Sequence, residues 1–593
     1  MHVIATAGHV DHGKSTLVRL LTGMEPDRWE QERSRGLTID LGFGWTTLPG
    51  GERVAFVDVP GHERFVPNML AGVGPVPAVL FVVAADEGWM PQSVEHLQAL
   101  DALGVRHGLL AVTRCDLADP GPARAEALDR MAGTSLGAVG SVTVSGRTGE
   151  GLDRLRAALD RLVGTLPAAD ADADVRLWVD RSFSIAGAGT VVTGTLAGGT
   201  LRVGDELVLA SSGAVMRVRG LQALGQDAST VSSVARAAVN LRGVERAAVA
   251  RGDALLTRGR WLTTRETDVV LRGTESGGLP RELVLHVGSA AVAVRVRPLD
   301  AGTARLRLDR PLPLRVGDRA LLRDPGRHRI AAGVDVLDVR PPALRRRGAA
   351  QRRGAELAAL AGATPRAVAD ALLRRQRFAT TGELRAMGLP VVGRAVGGGL
   401  RVHPEAWREL LGELRVLVER WSAEHPLDPG VPVDAVRRRL RLPAADVVAA
   451  LARAASLSVP AGRVCAPGGR AALPAPVEDA VAELTGELLE APFAAPDAHR
   501  LAALRLGPRE LAAAVRAGRL LKVADGVFLL PGVEARAGEL LAGLPQPFTL
   551  SQARQALGTT RRVAVPLLEL LDGRDITERL PDSTRRMRTA PPS

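Results

Sequence analysis

The residues best suited to chemistry stand together in one octet, Gly8-His9-Val10-Asp11-His12-Gly13-Lys14-Ser15. It has the G-x-x-x-x-G-K-[ST] form, in which backbone amides ring a string of phosphates. The lysine then acts as a compact charge on the β- and γ-phosphates, and the serine hydroxyl reaches Mg²⁺. Only two of the 77 basic residues are lysines, Lys14 and Lys522; everywhere else the chain uses arginine. Lysine persists here because a planar guanidinium does not fit a ring of amides. Residues 8–15, with Thr16 behind them, are predicted to bind a nucleoside triphosphate.

Downstream spacing selects guanine. Asp58-Val59-Pro60-Gly61 follows the apolar run Val54 to Val57. Asp58 is expected to hold Mg²⁺ through water, Ser15 to ligate it directly, and the Gly61 amide to sense the γ-phosphate. Thr38, within Arg35-Gly36-Leu37-Thr38-Ile39, is expected to complete the Mg²⁺ shell only while that phosphate is present, which makes both segments a switch. Thr113-Arg114-Cys115-Asp116 places Asp116 where a carboxylate reads the N1 and N2 hydrogens of guanine. Ser145-Gly146-Arg147 supplies a backbone amide for the guanine oxygen. The usual Asn-Lys-x-Asp form is changed twice. Thr113 stands for the amide that braces the phosphate loop. Arg114 stands for the lysine that covers the base, which a guanidinium plane can do by stacking. The expected ligands are GTP and Mg²⁺.

These residues need a strand, a loop and a helix to position them, and the sequence offers all three. The apolar run His2 to Ala7 precedes the octet, and a helical pattern runs from Ser15 to Leu21. At 593 residues the chain exceeds what one core holds. The predicted fold is multidomain, beginning with an α/β P-loop GTPase domain over 1–168. The linker Ala169-Asp170-Ala171-Asp172-Ala173-Asp174 ends it. Short β-branched runs with glycine turns then predict β-barrels over 174–262 and 265–342. Arg345-Arg346-Arg347-Gly348 reads as a hinge. Beyond it a loose repeat of two helices and a strand pair predicts tandem winged-helix (α+β) domains over 345–402, 403–470, 471–533 and 534–593. In the third, His499 to Leu504 and Pro508 to Ala517 form the helix pair, and Asp525-Gly526 turns the wing. In the fourth, the wing is expected over Ile576 to Leu580 and Arg585 to Arg588.

Composition narrows the class. Two cysteines, Cys115 and Cys465, give no disulfide framework and point to a reducing cytoplasm. The longest apolar run, Val76 to Ala85, is half of the ~20 residues a membrane span requires, and no signal peptide precedes the first strand. No membrane association is expected. The net charge is +12, and from Arg345 onward 37 basic side chains face 26 acidic ones. The basic excess lies in the arm, as in an appended nucleic-acid-binding module.

Two of these segments resemble a known group. Asp58-Val59-Pro60-Gly61-His62, together with His9-Val10-Asp11-His12 inside the phosphate loop, is similar to the translational GTPases. The resemblance implies that His62 positions the attacking water on the ribosome, and that Val10 and Leu37 form the apolar gate holding it back. Gly187-Ala188-Gly189-Thr190-Val191-Val192-Thr193-Gly194-Thr195 resembles domain two of factors of the elongation factor Tu type. GTPase, two barrels and tandem winged helices together resemble the bacterial selenocysteine-specific elongation factors, the SelB family. That family delivers selenocysteyl-tRNA at UGA codons and binds an mRNA hairpin through its last winged helix. The resemblance implies three partners, selenocysteyl-tRNA, the hairpin and the ribosome, for a monomer in the cytoplasm.

A selenol is more acidic than a thiol, whose pKa is about 8.5, so the aminoacyl group arrives as an anion whereas its seryl precursor is neutral. Fixed cations separate the two, and by family resemblance these are Arg181 and Arg236 with Asp180 orienting an arginine. For the hairpin, Arg561 and Arg562 open the second helix of the last winged helix, and Arg585, Arg586 and Arg588 line its wing. Two alternatives stay open at this level. One is a general factor of the elongation factor Tu or initiation type with an unusual RNA-binding tail. The other is a transcription regulator with a GTPase sensor, for which two barrels have no evident use.

Overall fold

The computed structural model describes residues 1–26, 40–61, 66–73, 76–187, 189–273, 278–427, 430–466 and 473–588. The chain divides into two compact units, Met1–Gly393 and Arg394–Ser593.

The first unit begins with a six-stranded sheet: β1 (His2–Ala7), β2 (Gly42–Thr47), β3 (Arg53–Asp58), β4 (Ala78–Ala84), β5 (His107–Thr113) and β6 (Gly140–Thr143), in the order β2-β3-β1-β4-β5-β6. Only β2 runs antiparallel to its neighbour. Every residue of β4 is buried, the continuous apolar run expected of a strand covered on both faces. The phosphate loop leaves the C-terminal end of β1 and enters the helix Lys14–Thr22. Two glycines make that turn possible. A Cβ on Gly8 (φ +129°) would lie 2.1 Å from the Val82 carbonyl oxygen, and Gly13 caps the helix in the left-handed region at φ +88°.

A seven-stranded antiparallel sheet follows, closed by pairing of Glu206–Leu209 with Val215–Ala223. It contains β7 (Arg176–Ile185) and β8 (Gly189–Leu196), paired through a bulge between Val179 and Arg181. The second barrel is a closed ring of six strands between Thr264 and Asp338. Its hydrophobic core does not stop at the barrel. Leu357, Val368, Leu372, Leu373, Leu384 and Val392, all beyond the barrel, pack into it.

This corrects the expectation of a hinge at residues 345–348. Asp268 and Asp338 of the barrel are fully buried and take Arg353 at 2.8 and 2.6 Å; Asp268 also takes Arg305, and Asp338 takes Arg375. A shared core and a buried charge network fasten residues 349–392 to the barrel. The division of the chain falls at 393/394.

Among the described residues the second unit contains three modules, each of helices with a short strand pair. Helices Pro404–Glu424, Val433–Arg439 and Ala445–Ala454 accompany the short pair Val431–Pro432 and Arg463–Val464. Helices Ala475–Glu490, Ala498–Ala503 and Pro508–Arg516 lead to the hairpin Leu521–Ala524 and Val527–Leu529, with Gly526 at φ +72° in its turn. Helices Val533–Ala542, Leu550–Ala556 and Arg561–Gly573 lead to Thr577–Arg579 and Arg585–Met587. The last two modules share one core, in which Phe493 and Phe528 meet Phe548, Leu567 and Leu571.

Candidate functional site

The phosphate loop is held in place from three sides. Lys14 donates from Nζ to the carbonyls of Gly8 and His9 at 3.1 and 2.6 Å. Asp58, fully buried at the end of β3, accepts the Ser15 hydroxyl at 2.6 Å and the Thr6 hydroxyl at 2.7 Å. A buried carboxylate beside a hydroxyl is the hard oxygen set that Mg²⁺ takes in phosphate sites. Gly61 lies directly against this loop, since a Cβ there would sit 2.6 Å from the Val10 amide nitrogen and 2.7 Å from Lys14 Nζ. Thr38, Leu37 and His62 lie outside the described residues.

The third brace was not foreseen from the sequence. From the helix Pro91–Leu103, Gln92 accepts the Val10 amide at 2.9 Å and His96 Nδ1 accepts the Gly8 amide at 3.0 Å. Burial pushes the His96 imidazole down to about 3, and it pushes His12 down to about 4. Both rings are neutral at physiological pH, so His96 can serve as the acceptor. No motif marks these two side chains; a helix with a glutamine and a histidine four apart is unremarkable until the fold sets it beside the loop.

The segments expected to read guanine sit at the ends of β5 and β6. Thr113 donates its hydroxyl to the His12 carbonyl at 2.8 Å. Arg114 reaches Asp86 and Glu87 at 2.9 and 2.8 Å and donates to the Asp11 carbonyl at 2.5 Å. Asp116 is 2.9 Å from Arg147 Nε. Hydrogen bonding from Ser145 first, and then the Arg147 guanidinium, holds the Asp116 carboxyl below the usual carboxylate range. The Ser145 hydroxyl accepts the amides of Arg147 and Thr148 at 3.2 and 3.1 Å, which shapes the 145–148 turn. Gly146 faces Thr16, whose methyl carbon would be 3.0 Å from a Cβ at that glycine.

A second constellation lies where β2 meets the first barrel. Arg236 is clamped by both oxygens of Asp180, one of them at 2.7 Å from Nη2, and donates to the Thr193 hydroxyl at 3.1 Å. Thr193 in turn donates to Asp180 at 2.7 Å. Arg181 turns toward the nucleotide domain, with Nε 3.1 Å from Asp40 and Nη2 on the Leu41 carbonyl. Both guanidiniums stand over the Phe43 ring, Arg236 at 3.9 Å and Arg181 at 5.1 Å from its centroid. They border a cavity of about 200 Å³ shared with Phe43, Phe183, Thr193 and Leu224. Fixed cations on an aromatic floor are suited to a small anionic group.

The five arginines expected to meet the hairpin, all in the last module, have different surroundings. Arg561 is exposed and makes no side-chain hydrogen bond or ion pair among the described residues. Arg562 donates to the carbonyls of Gly526, Ala495 and Pro496 at 2.9–3.1 Å and ties the last module to the one before it. Arg586 is exposed and pairs with Glu578 at 2.9 Å, and Arg588 is exposed and pairs with Asp575. Arg585 is buried on Asp572 at 2.9 Å and serves the fold, a correction to its expected place on the RNA face. Strand alternation carries the reason, because 585 and 586 must point to opposite faces of the wing.

Comparison with known proteins bears on each part. Residues 1–165 match the family model for the elongation factor Tu GTP binding domain, and 189–256 that for elongation factor Tu domain 2. Residues 280–343 match the β-barrel domain of selenocysteine-specific elongation factor, and 539–586 the winged helix of elongation factor SelB. A selenocysteine-specific elongation factor of Desulfomicrobium baculatum is 38% identical over 352 residues, 57% of this chain and 55% of that protein. The chain thus spans about half the length of such relatives. Elongation factor Tu 2 of Streptomyces avermitilis is 31% identical over 379 residues, 56% of this chain and 96% of that protein. A crystal structure of bacterial selenocysteine-specific elongation factor EF-Sec shares the fold, with a TM-score of 0.73 at 24% identity over 99% of this chain and 100% of that one.

Proposed function

Because this chain belongs to the translational GTPases of the elongation factor Tu type, we propose that it carries selenocysteyl-tRNA to the ribosome at UGA codons marked by an mRNA hairpin. The observation that carries this reading is the pair of guanidiniums, Arg181 and Arg236, over Phe43 beside a cavity of amino-acid size. A selenolate is charged near neutral pH and a serine hydroxyl is not. The charge-assisted bond to arginine is roughly twice as strong as a neutral one. Asp180 orients Arg236, so that this cation is fixed before the ligand arrives.

GTP is read by Asp116 and the 145–147 turn, and its phosphates by residues 8–15. Ser15, Asp58 and Thr38 would hold Mg²⁺, which supplies charge neutralisation at the β- and γ-phosphates. His62, next to Gly61, orients the water that attacks the γ-phosphate. The second unit holds the hairpin with Arg561 and the exposed wing arginines, Arg586 and Arg588, leaving the first unit to the tRNA. Among the described residues no helix is long and apolar enough to cross a membrane; the chain acts as a monomer in the cytoplasm.

A reconstituted translation reaction tests this reading. With selenocysteyl-tRNA supplied, the full chain should support UGA readthrough on a message bearing the hairpin and not on one lacking it. Equal readthrough on both messages would favour a general elongation or initiation factor.

A further inference from the structure

The two cations beside the cavity are restrained by carboxylates of different origin. Asp180 lies on the same barrel as Arg236, is 6% exposed, and is locked by Thr193. Asp40 belongs to the nucleotide domain. Its side chain is 24% exposed, takes Arg181 through Nε at 3.1 Å, and has Arg251 at 3.4 Å on its other oxygen. Asp40 thus occupies the arginine that an anionic aminoacyl group needs, and it does so from outside the barrel.

Its position also ties it to the phosphates. Two residues on, Gly42 begins β2 and pairs with Asp58 at the end of β3. The approach is close enough that a Cβ on Gly42 would lie 3.1 Å from the Asp58 Cβ. Asp58 takes the Ser15 hydroxyl of the phosphate loop. One strand register therefore separates the residue that meets the nucleotide site from the backbone that aims Asp40 at Arg181, and the Leu41 carbonyl between them accepts from the same guanidinium.

Building on the selenocysteyl-tRNA reading above, we infer that Asp40 is a positioning residue, an internal counter-ion that withholds Arg181 from the aminoacyl group in one nucleotide state and releases it in the other. Arg236, clamped within its own barrel, is the constant half of the pocket, and Arg181 is the half that responds to nucleotide. Selectivity for the anionic amino acid then depends on GTP through a single ion pair.

The test uses the full chain and three variants, Asp40→Asn, Asp40→Ser and Asp40→Glu. Each is titrated with selenocysteyl-tRNA and seryl-tRNA in GTP and in GDP. Removing the carboxylate should raise selenocysteyl-tRNA affinity in GDP by ~10-fold, the order of one partly buried ion pair, while the GTP value stays within ~2-fold. Seryl-tRNA should not respond, and Asp40→Glu should keep the parent's GTP-to-GDP ratio. Asn and Ser remove the same charge, so loss of folding in one leaves the other to decide. A parent-like GTP-to-GDP ratio in the neutral variants overturns the role of Asp40 and leaves the functional reading intact. Equal affinity of the parent for both aminoacyl forms in GTP overturns both.

Discussion

Thr113 donates to the His12 carbonyl at 2.8 Å, bracing the phosphate loop with a hydroxyl where the usual Asn-Lys-x-Asp form has an amide. Arg114, the second departure, braces the same loop through the Asp11 carbonyl. The two changes therefore leave the loop supported. Replacing Thr113 with Val keeps the shape and removes the donor, which leaves a buried carbonyl short of a partner at a cost of about 1–3 kcal/mol. GDP and GTP affinity should each fall ~10-fold or more, and Thr113→Asn should retain both. Fluorescent-nucleotide titration checks this; a Val variant that binds like the parent removes Thr113 from the account.

His62→Ala should leave GTP binding nearly unchanged and lower ribosome-stimulated hydrolysis by ~10² or more, as for a lost water-positioning group. Single-turnover hydrolysis on ribosomes measures it. A parent-like rate would assign the water to another group.

Acid should loosen the first unit before its carboxylates titrate. Burial lowers His96 to about 3 and His286 to about 4, against an ordinary value of 6.5. Folded, both stay neutral; unfolded, both take protons as the pH drops below 6.5. The unfolded state binds more protons in that window, so stability falls as pH falls from 6.5 toward 4. Urea melts at pH 7, 6 and 5 should show it, with a shallower loss in His286→Gln. Identical slopes for parent and variant would assign the acid sensitivity elsewhere.

Much of this site is legible in the sequence because its parts are local. The phosphate loop needs glycines at two backbone positions and a lysine between amides, and all three stand within seven residues of one another. The Asp525-Gly526 turn names its own hairpin. What the sequence conceals is long-range. Arg345 to Arg347 reads as a hinge because arginines beside a glycine are usually solvated. The buried partners that cancel that reading, Asp268 and Asp338, join Arg353 across 85 and 15 residues. Gln92 and His96 are hidden for the same reason, since their partners Val10 and Gly8 lie 82 and 88 residues away. Arg585 and Arg586 look alike in the sequence, and only the pairing of the wing decides which of them is buried.

The wing offers a matched pair of variants. Arg561→Ala, which removes an exposed cation, should weaken hairpin binding and reduce the slope of log K against log salt by ~0.7–0.9. Arg585→Ala should instead lower the stability of the last module by about 1–3 kcal/mol, because it removes a buried guanidinium from the partly buried Asp572. Hairpin titrations across a salt series, beside a urea melt, separate the two. Parent-like binding by Arg561→Ala at every salt would exclude it from the RNA face.

The most direct test of the central claim compares selenocysteyl-tRNA with seryl-tRNA for the parent chain and for the Arg181→Ala, Arg236→Ala double variant, in GTP. The parent should bind the selenocysteyl form ~10²-fold more tightly, as two charge-assisted contacts to one anion supply. The double variant should lose that preference while its seryl-tRNA affinity stays within ~2-fold. Equal loss for both aminoacyl forms, or a preference that survives the double substitution, would contradict a selenolate pocket at Arg181 and Arg236.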